Sequence, residues 1–324
     1  MKKQVLLYKT LSAPLMARLQ AETDVTCIDD PKSPEGKARL HEALPHAHGL
    51  LGASLRIDDE LLALAPHLEV VSSVSVGVDK YDIPAFDRRG VKLTNTPDVL
   101  TETTADTGFA LLMATARRVV ELANVVRNGQ WQESVGPAQF GTDVHGKTLG
   151  IVGIGRIGQA LAQRGHFGFG MPVLYHNHSR RPKPEVDQRF DARYCELDTL
   201  LKEADFVCLT LPLTAETTGL IGARELSLMK PGAILVNIAR GPVVDETALA
   251  EALQAGRLGG AGLDVFNQEP VAANSPLLRL ANVVPTPHIG SATHETREAM
   301  AACAVDNLLA ALRGERPKDW VNRG

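Results

Sequence analysis

Short runs of apolar residues recur along this chain, separated by stretches in which apolar positions return every three or four residues. In the first hundred residues the runs fall at 4–8, 25–28, 49–51, 69–73 and 91–94 and predict strands. Between the first two, Leu15, Met16 and Leu19 repeat at helical spacing behind Ser12, which predicts a helix capped by that serine. Strand, helix, strand in series marks a parallel α/β architecture. From 100 to 129 the helical period continues without proline through Phe109, Leu112, Val119, Leu122 and Val126, so one long helix ending at Gly129 is expected. Residues 130–144, with Trp131, Gly136, Pro137 and Gly141, read as an irregular loop, expected to touch a second subunit.

A second α/β series follows, with strands predicted at 148–152, 173–176, 206–209, 234–237, 260–264 and 283–285. The lengths between them suit helices on both faces of an open sheet. A last amphipathic helix over 293–312 carries Met300, Cys303, Ala304, Leu308 and Leu312 on one side and is expected to return to the first lobe. A chain of 324 residues exceeds what one core usually organises. The expected fold class is α/β, with two Rossmann-like, doubly wound parallel-sheet domains, the first of them discontinuous. Their expected extents are 1–100 plus 290–324, flavodoxin-like, and 101–289.

Composition narrows the function. With 44% hydrophobic and 22% charged residues the chain reads as an ordinary globular protein, and a net charge of -4 argues against nucleic acid as a partner. No run approaches membrane-spanning length, and the apolar stretch after Met1-Lys2-Lys3 is too short for a signal segment, so a cytoplasmic protein is expected, with no membrane partner. Cys27, Cys195, Cys208 and Cys303 lie far apart without a CxxC pair and read as buried apolar fillers; no metal site is expected.

Gly153-Ile154-Gly155-Arg156-Ile157-Gly158 stands between a predicted strand and a predicted helix, which is the setting that makes a GxGxxG motif specific. Gly153 allows the tight turn, Gly155 lets a pyrophosphate approach the backbone, and Gly158 lets the helix pack on the strand. The helix's free N–H groups then meet the anion, with Arg156 placed to add a charge-assisted contact. A methyltransferase also uses a Gly-rich first turn, but it has no counterpart of Gly158 and leaves the residues below unexplained. At the end of the next strand, where an acid would select NAD, the chain reads Asn177-His178-Ser179-Arg180-Arg181. A 2'-phosphate suits that set, so NADPH is the expected cofactor, with Arg180 its main phosphate contact and NADH still possible. The bland alternative is a pair of solvated loop arginines.

Arg240, Glu269 and His288 each stand just past a predicted strand of the second series, where α/β proteins place ligands. A guanidinium forks onto a carboxylate, an imidazolium donates a proton to a forming alkoxide, and a neighbouring carboxylate favours the imidazolium. Taken singly they could be a surface ion pair, a helix-start charge and a turn histidine. Taken together after a dinucleotide turn, they point to hydride transfer onto the carbonyl of a small 2-oxoacid.

The motifs Gly150 to Gly158, Asn237-Ile238-Ala239-Arg240-Gly241-Pro242, Gly262-Leu263-Asp264-Val265-Phe266 and Pro287-His288-Ile289-Gly290-Ser291 resemble those of the D-isomer-specific 2-hydroxyacid dehydrogenases, over essentially the whole chain. The resemblance implies a catalytic set of Arg240, Glu269 and His288, and an active site in the cleft between a substrate-binding first domain and a dinucleotide-binding second. It implies that Ser75, Val76 and Gly77 hold the substrate carboxylate opposite Arg240, and that His288 and Ser291 border the substrate. It implies cofactor contacts at Thr107, at Leu211, Pro212 and Thr217, at Ile238, Ala239 and Asp264, and at Gly290. The expected activity is NADPH-dependent reduction of glyoxylate, hydroxypyruvate or 2-keto-D-gluconate to the D-2-hydroxyacid, by a homodimer. Alternatives are a nicotinamide-sensing binding protein without catalysis, or another dehydrogenase such as that of 3-phosphoglycerate.

Overall fold

A computed structural model describes residues 2–177 and 182–323. The chain divides into two compact units: Met1–Leu100 with Thr293–Gly324, and Thr101–Ala292. Residues 290–292 group with the second unit, to which the Gly290 N–H is bonded through Asp264.

The first unit opens with strands β1 (Lys3–Tyr8), β2 (Thr23–Cys27), β3 (Gly49–Gly52), β4 (Val70–Ser73) and β5 (Lys92–Thr94). Helices α1 (Ala13–Glu22), α2 (Pro34–Ala43), α3 (Asp59–Ala63) and α4 (Ile83–Arg89) connect them. All pairings are parallel, in the order β2-β1-β3-β4-β5, the flavodoxin-like arrangement. Both faces of β3 and β4 are buried, and the two polar side chains of β4, Ser72 and Ser73, are each hydrogen-bonded inside the unit. Ser12 does stand at the start of α1, but its hydroxyl donates to Glu298 instead of capping the helix.

The second unit begins with α5 (Thr101–Ala116) and α6 (Val119–Arg127), two helices where one is expected. The break is at Arg118, whose φ of 53° is left-handed. Its guanidinium pairs with Glu121 and donates to the carbonyls of Ala138 and Phe140, so tertiary contacts hold a backbone that no glycine or proline announces. Then come β6 (Leu149–Val152), α7 (Arg156–Gln163), β7 (Val173–His176), α8 (Pro184–Phe190), β8 (Ala192–Tyr194), α9 (Leu197–Glu203) and β9 (Phe206–Leu209). They continue into α10 (Ala223–Leu228), β10 (Ile234–Asn237), α11 (Glu246–Gln254), β11 (Gly260–Leu263) and β12 (Val283–Pro285). The parallel order β12-β11-β10-β9-β6-β7-β8 reverses direction between β6 and β9, which is the switch point of a Rossmann sheet. Strand β8 is additional to the sequence expectation: three residues at a sheet edge leave too short a run to read.

Side chains alternate between two cores. Phe206 and Cys208 pack on one face with Leu149, Ile151 and Val236, while Val207 and Leu209 pack on the other with Val152 and Leu235. Burial pushes the Cys208 thiol up to about 12 and keeps it inert. Cys27 departs from the expected burial: it is exposed on the edge strand β2.

The chain then returns to the first unit as α12 (His294–Leu312), which covers β3 and β4. Ser72 Oγ, fully buried on β4, donates to Ala304 O at 2.8 Å. Beyond the helix, the tail closes the open edge of β5. Val321 N donates to Leu93 O, and Asn322 Oδ1 accepts from Leu93 N at 2.7 Å while its amide donates to Val91 O and Asp87. Replacing Asn322 with alanine orphans these buried backbone groups and is expected to cost about 2 kcal/mol. The loss should read as an earlier urea transition with faster hydrogen exchange at the Leu93 amide; an unmoved midpoint contradicts it.

Candidate active site

Parallel register sets the geometry of the second unit's carboxyl edge. Asn237, Leu263 and Pro285 end β10, β11 and β12 side by side. The three loops that follow carry Arg240, Glu269 and His288, so residues far apart in sequence leave the sheet from adjacent positions.

Two buried polar side chains shape these loops. Asn237, 1% exposed, accepts from Ala239 N through Oδ1 and donates to Arg240 O through Nδ2, closing the turn of Ile238, Ala239 and Arg240. Asp264, 2% exposed, accepts from Thr286 Oγ1 and Ile289 N through Oδ1, and from Gly290 N through Oδ2, each at 2.7 Å. Three donors compensate the buried carboxylate and wrap the 286–290 loop around it. His288 sits on that loop at φ 55°, a conformation a histidine holds only when its surroundings impose it.

His288 Nδ1 lies 2.8 Å from Glu269 Oε2, while Glu269 Oε1 accepts from Phe266 N. The carboxylate therefore fixes the ring's orientation through Nδ1 rather than Nε2. Both side chains are partly open, at 46% and 39%. Arg240 is half-buried, and its guanidinium donates to Ala239 O. Gly241 brings the Arg240 turn hard against the Glu269 loop: a Cβ there would lie 1.9 Å from Phe266 C.

At the switch point, Gly153 adopts φ 105°, and a Cβ on it would sit 2.8 Å from Leu211 N. One on Gly158 would meet Gly153 O at 2.3 Å, so strand, turn and helix touch through backbone alone. Gly155, by contrast, faces open space at the start of α7, beside the exposed Arg156 and half-buried Ile157. An exposed approach to a helix N-terminus fits a dinucleotide pyrophosphate. Buried Thr217 donates to Pro212 O and holds the loop after Leu211, and Thr107 lies half-buried on α5. Asn177 is buried just past β7; His178, Ser179, Arg180 and Arg181 lie outside the described residues.

Ser75, Val76 and Gly77 follow β4 in the first unit, and half-buried Ser291 follows Gly290 in the second. Two polar contacts at the dinucleotide turn are missing from the sequence reading. Thr210 Oγ1 donates to Gly153 O at 2.5 Å, and Lys183 Nζ donates to Ile154 O at 3.2 Å. Thr210 stands just past β9, so the strand-end rule that singles out Arg240 would also have found it. Lys183 has no such signal.

The NAD binding domain model of the D-isomer specific 2-hydroxyacid dehydrogenases matches residues 109–290. Glyoxylate/hydroxypyruvate reductase B of Klebsiella pneumoniae (strain 342) is 58% identical over 322 residues, covering 99% of this chain and 99% of that protein. A Thermus thermophilus protein of known structure superposes with a TM-score of 0.90 at 46% identity, covering 98% of this chain and 99% of that one. The NADPH-dependent glyoxylate/hydroxypyruvate reductase of Sinorhizobium meliloti, solved with NADP and malonate, does so with a TM-score of 0.85 at 32% identity, covering 99% and 97%. The chain therefore belongs to the D-isomer specific 2-hydroxyacid dehydrogenase family.

Proposed function

We propose that this enzyme reduces small 2-oxoacids, glyoxylate and hydroxypyruvate first among them, to D-2-hydroxyacids with NADPH. The observation that carries the reading is the imidazole–carboxylate pair of His288 and Glu269 on loops from adjacent strands, beside the Arg240 turn. Kinship over the whole chain with reductases of that name supports the substrate class. 2-Keto-D-gluconate extends the same chemistry to a longer acid.

Arg240 binds the substrate carboxylate and polarises the carbonyl, together with the N–H groups of Val76 and Gly77. His288 gives its proton to the carbonyl oxygen as negative charge builds there, and Glu269 holds the ring in the donating orientation. Gly153, Gly155, Arg156, Ile157 and Gly158 would hold the cofactor's pyrophosphate, with Thr107, Leu211, Pro212, Thr217, Ile238, Ala239, Asp264 and Gly290 around the rest. When bound, reduced nicotinamide supplies the hydride. His178, Ser179 and Arg180, with no acid among them, favour a 2'-phosphate over a bare ribose. A homodimer is supported by α6, which buries none of its residues and leaves Val119 and Val126 exposed, as Trp131 and Phe140 are in the loop beyond.

Steady-state assays with glyoxylate and hydroxypyruvate test the proposal, and a protein that binds NADPH but turns over neither would be a sensor instead. Changing His288 to alanine should lower kcat by about two to four orders of magnitude with NADPH binding retained; undiminished turnover removes the proton-donor role. Arg180→Ala should raise KM for NADPH by about tenfold or more and leave KM for NADH alone; a wild-type protein that uses NADH as well as NADPH defeats the preference. In Asp264→Asn an amide group faces the Gly290 or Ile289 N–H. Stability should fall by about 2 kcal/mol, and kcat should drop more than cofactor affinity; normal turnover would show that His288 needs no such support.

A further inference from the structure

The loop after β4 is held by its carbonyls. Ser75 O accepts from Thr96 N at 3.0 Å, Val76 O from Asn95 Nδ2 at 2.9 Å, and Gly77 O from Ser75 Oγ at 3.0 Å. A trans peptide is planar, with its N–H opposite its C=O. Turning three successive carbonyls onto internal donors therefore turns the N–H groups of Val76, Gly77 and Val78 the other way, as in the concave backbone arrangements that bind anions.

The third plane is the vulnerable one. It follows a glycine, whose backbone rotates most freely, and a flip would set the Gly77 carbonyl where an anion is to bind. It is restrained by the Ser75 hydroxyl, which has neighbours of its own. Ser75 Oγ lies 2.8 Å from Ser73 Oγ, and Tyr81 OH donates to Ser73 Oγ at 2.8 Å. Each hydroxyl has one proton. With the Ser75 proton committed to Gly77 O, Ser73 must donate to Ser75, and Ser73 then accepts from Tyr81, so the direction of the whole chain is determined. Tyr81 is itself buried, stacked edge-on to Phe86, and its backbone N–H closes the segment on Val78 O. Burial pushes its phenol up, which keeps the donating proton in place.

We infer that Tyr81 is a positioning residue for the substrate carboxylate, acting through Ser73 and Ser75 to hold the Gly77–Val78 peptide with its carbonyl turned away from the anion. The inference rests on the reading that this loop takes the carboxylate. Tyr81→Phe keeps the ring and its packing and removes only the first proton of the chain. Its KM for glyoxylate and its inhibition constant for oxalate, an unreactive carboxylate probe, should each rise by about five- to tenfold. At saturating glyoxylate kcat should stay within about twofold, and KM for NADPH should not move. Ser73→Ala should behave alike, and the double variant should be no worse than either, because both cut one chain. Unchanged KM and oxalate inhibition in Tyr81→Phe, or additive losses in the double variant, overturn the relay. Oxalate titrated into the wild-type protein while the Val76 and Gly77 amide resonances are followed separates the two claims. Resonances that stay put overturn the carboxylate reading and the relay with it, whereas resonances that move, with Tyr81→Phe inhibited as before, overturn the relay alone.

Discussion

A carboxylate removed from water must find its hydrogen bonds in the protein, and the carboxyl edge of the second sheet is organised around one that does. Asp264 gathers Thr286, Ile289 and Gly290 around its two oxygens. Those bonds set the path of the loop on which His288 sits in a left-handed conformation and within reach of Glu269. Asn237 does the same for Arg240 one strand away. Side chains carried on loops thus take their positions from the sheet, because the groups that hold those loops are fixed at the ends of paired strands.

The chemistry that remains is carried by backbone as much as by side chains. Gly153, Gly158 and Gly241 sit where main chains touch, and at each the absence of a Cβ is what permits the contact. In the 75–77 loop of the first unit, too, the N–H groups are aligned by what the carbonyls bind. Donors fixed in this way need no reorganisation when an anion arrives.

Much of this is legible in the sequence. Parallel strands covered on both faces leave dense apolar runs, so eleven of the twelve strands among the described residues stand out, and strand ends then point to Arg240, Glu269 and His288. The three-residue edge strand β8 has no run to read, and the break at Arg118 depends on a guanidinium meeting carbonyls some twenty residues away. The anchoring work of Asp264 and Asn237 and the hydroxyl chain behind Ser75 are invisible for a shared reason. Each is a choice of hydrogen-bond partner, settled only when register brings distant segments together.

The first unit is assembled from two stretches separated by the whole of the second, and this has a consequence for biosynthesis. Residues 1–100 leave the ribosome well before α12, the helix that covers β3 and β4 and accepts the Ser72 proton, and the entire second unit is made in between. One apolar face of the nascent sheet is thus without its cover while the Rossmann unit folds. The growing polypeptide carries an aggregation-prone surface until α12 has been made, and it is over that interval that chaperones have most to protect.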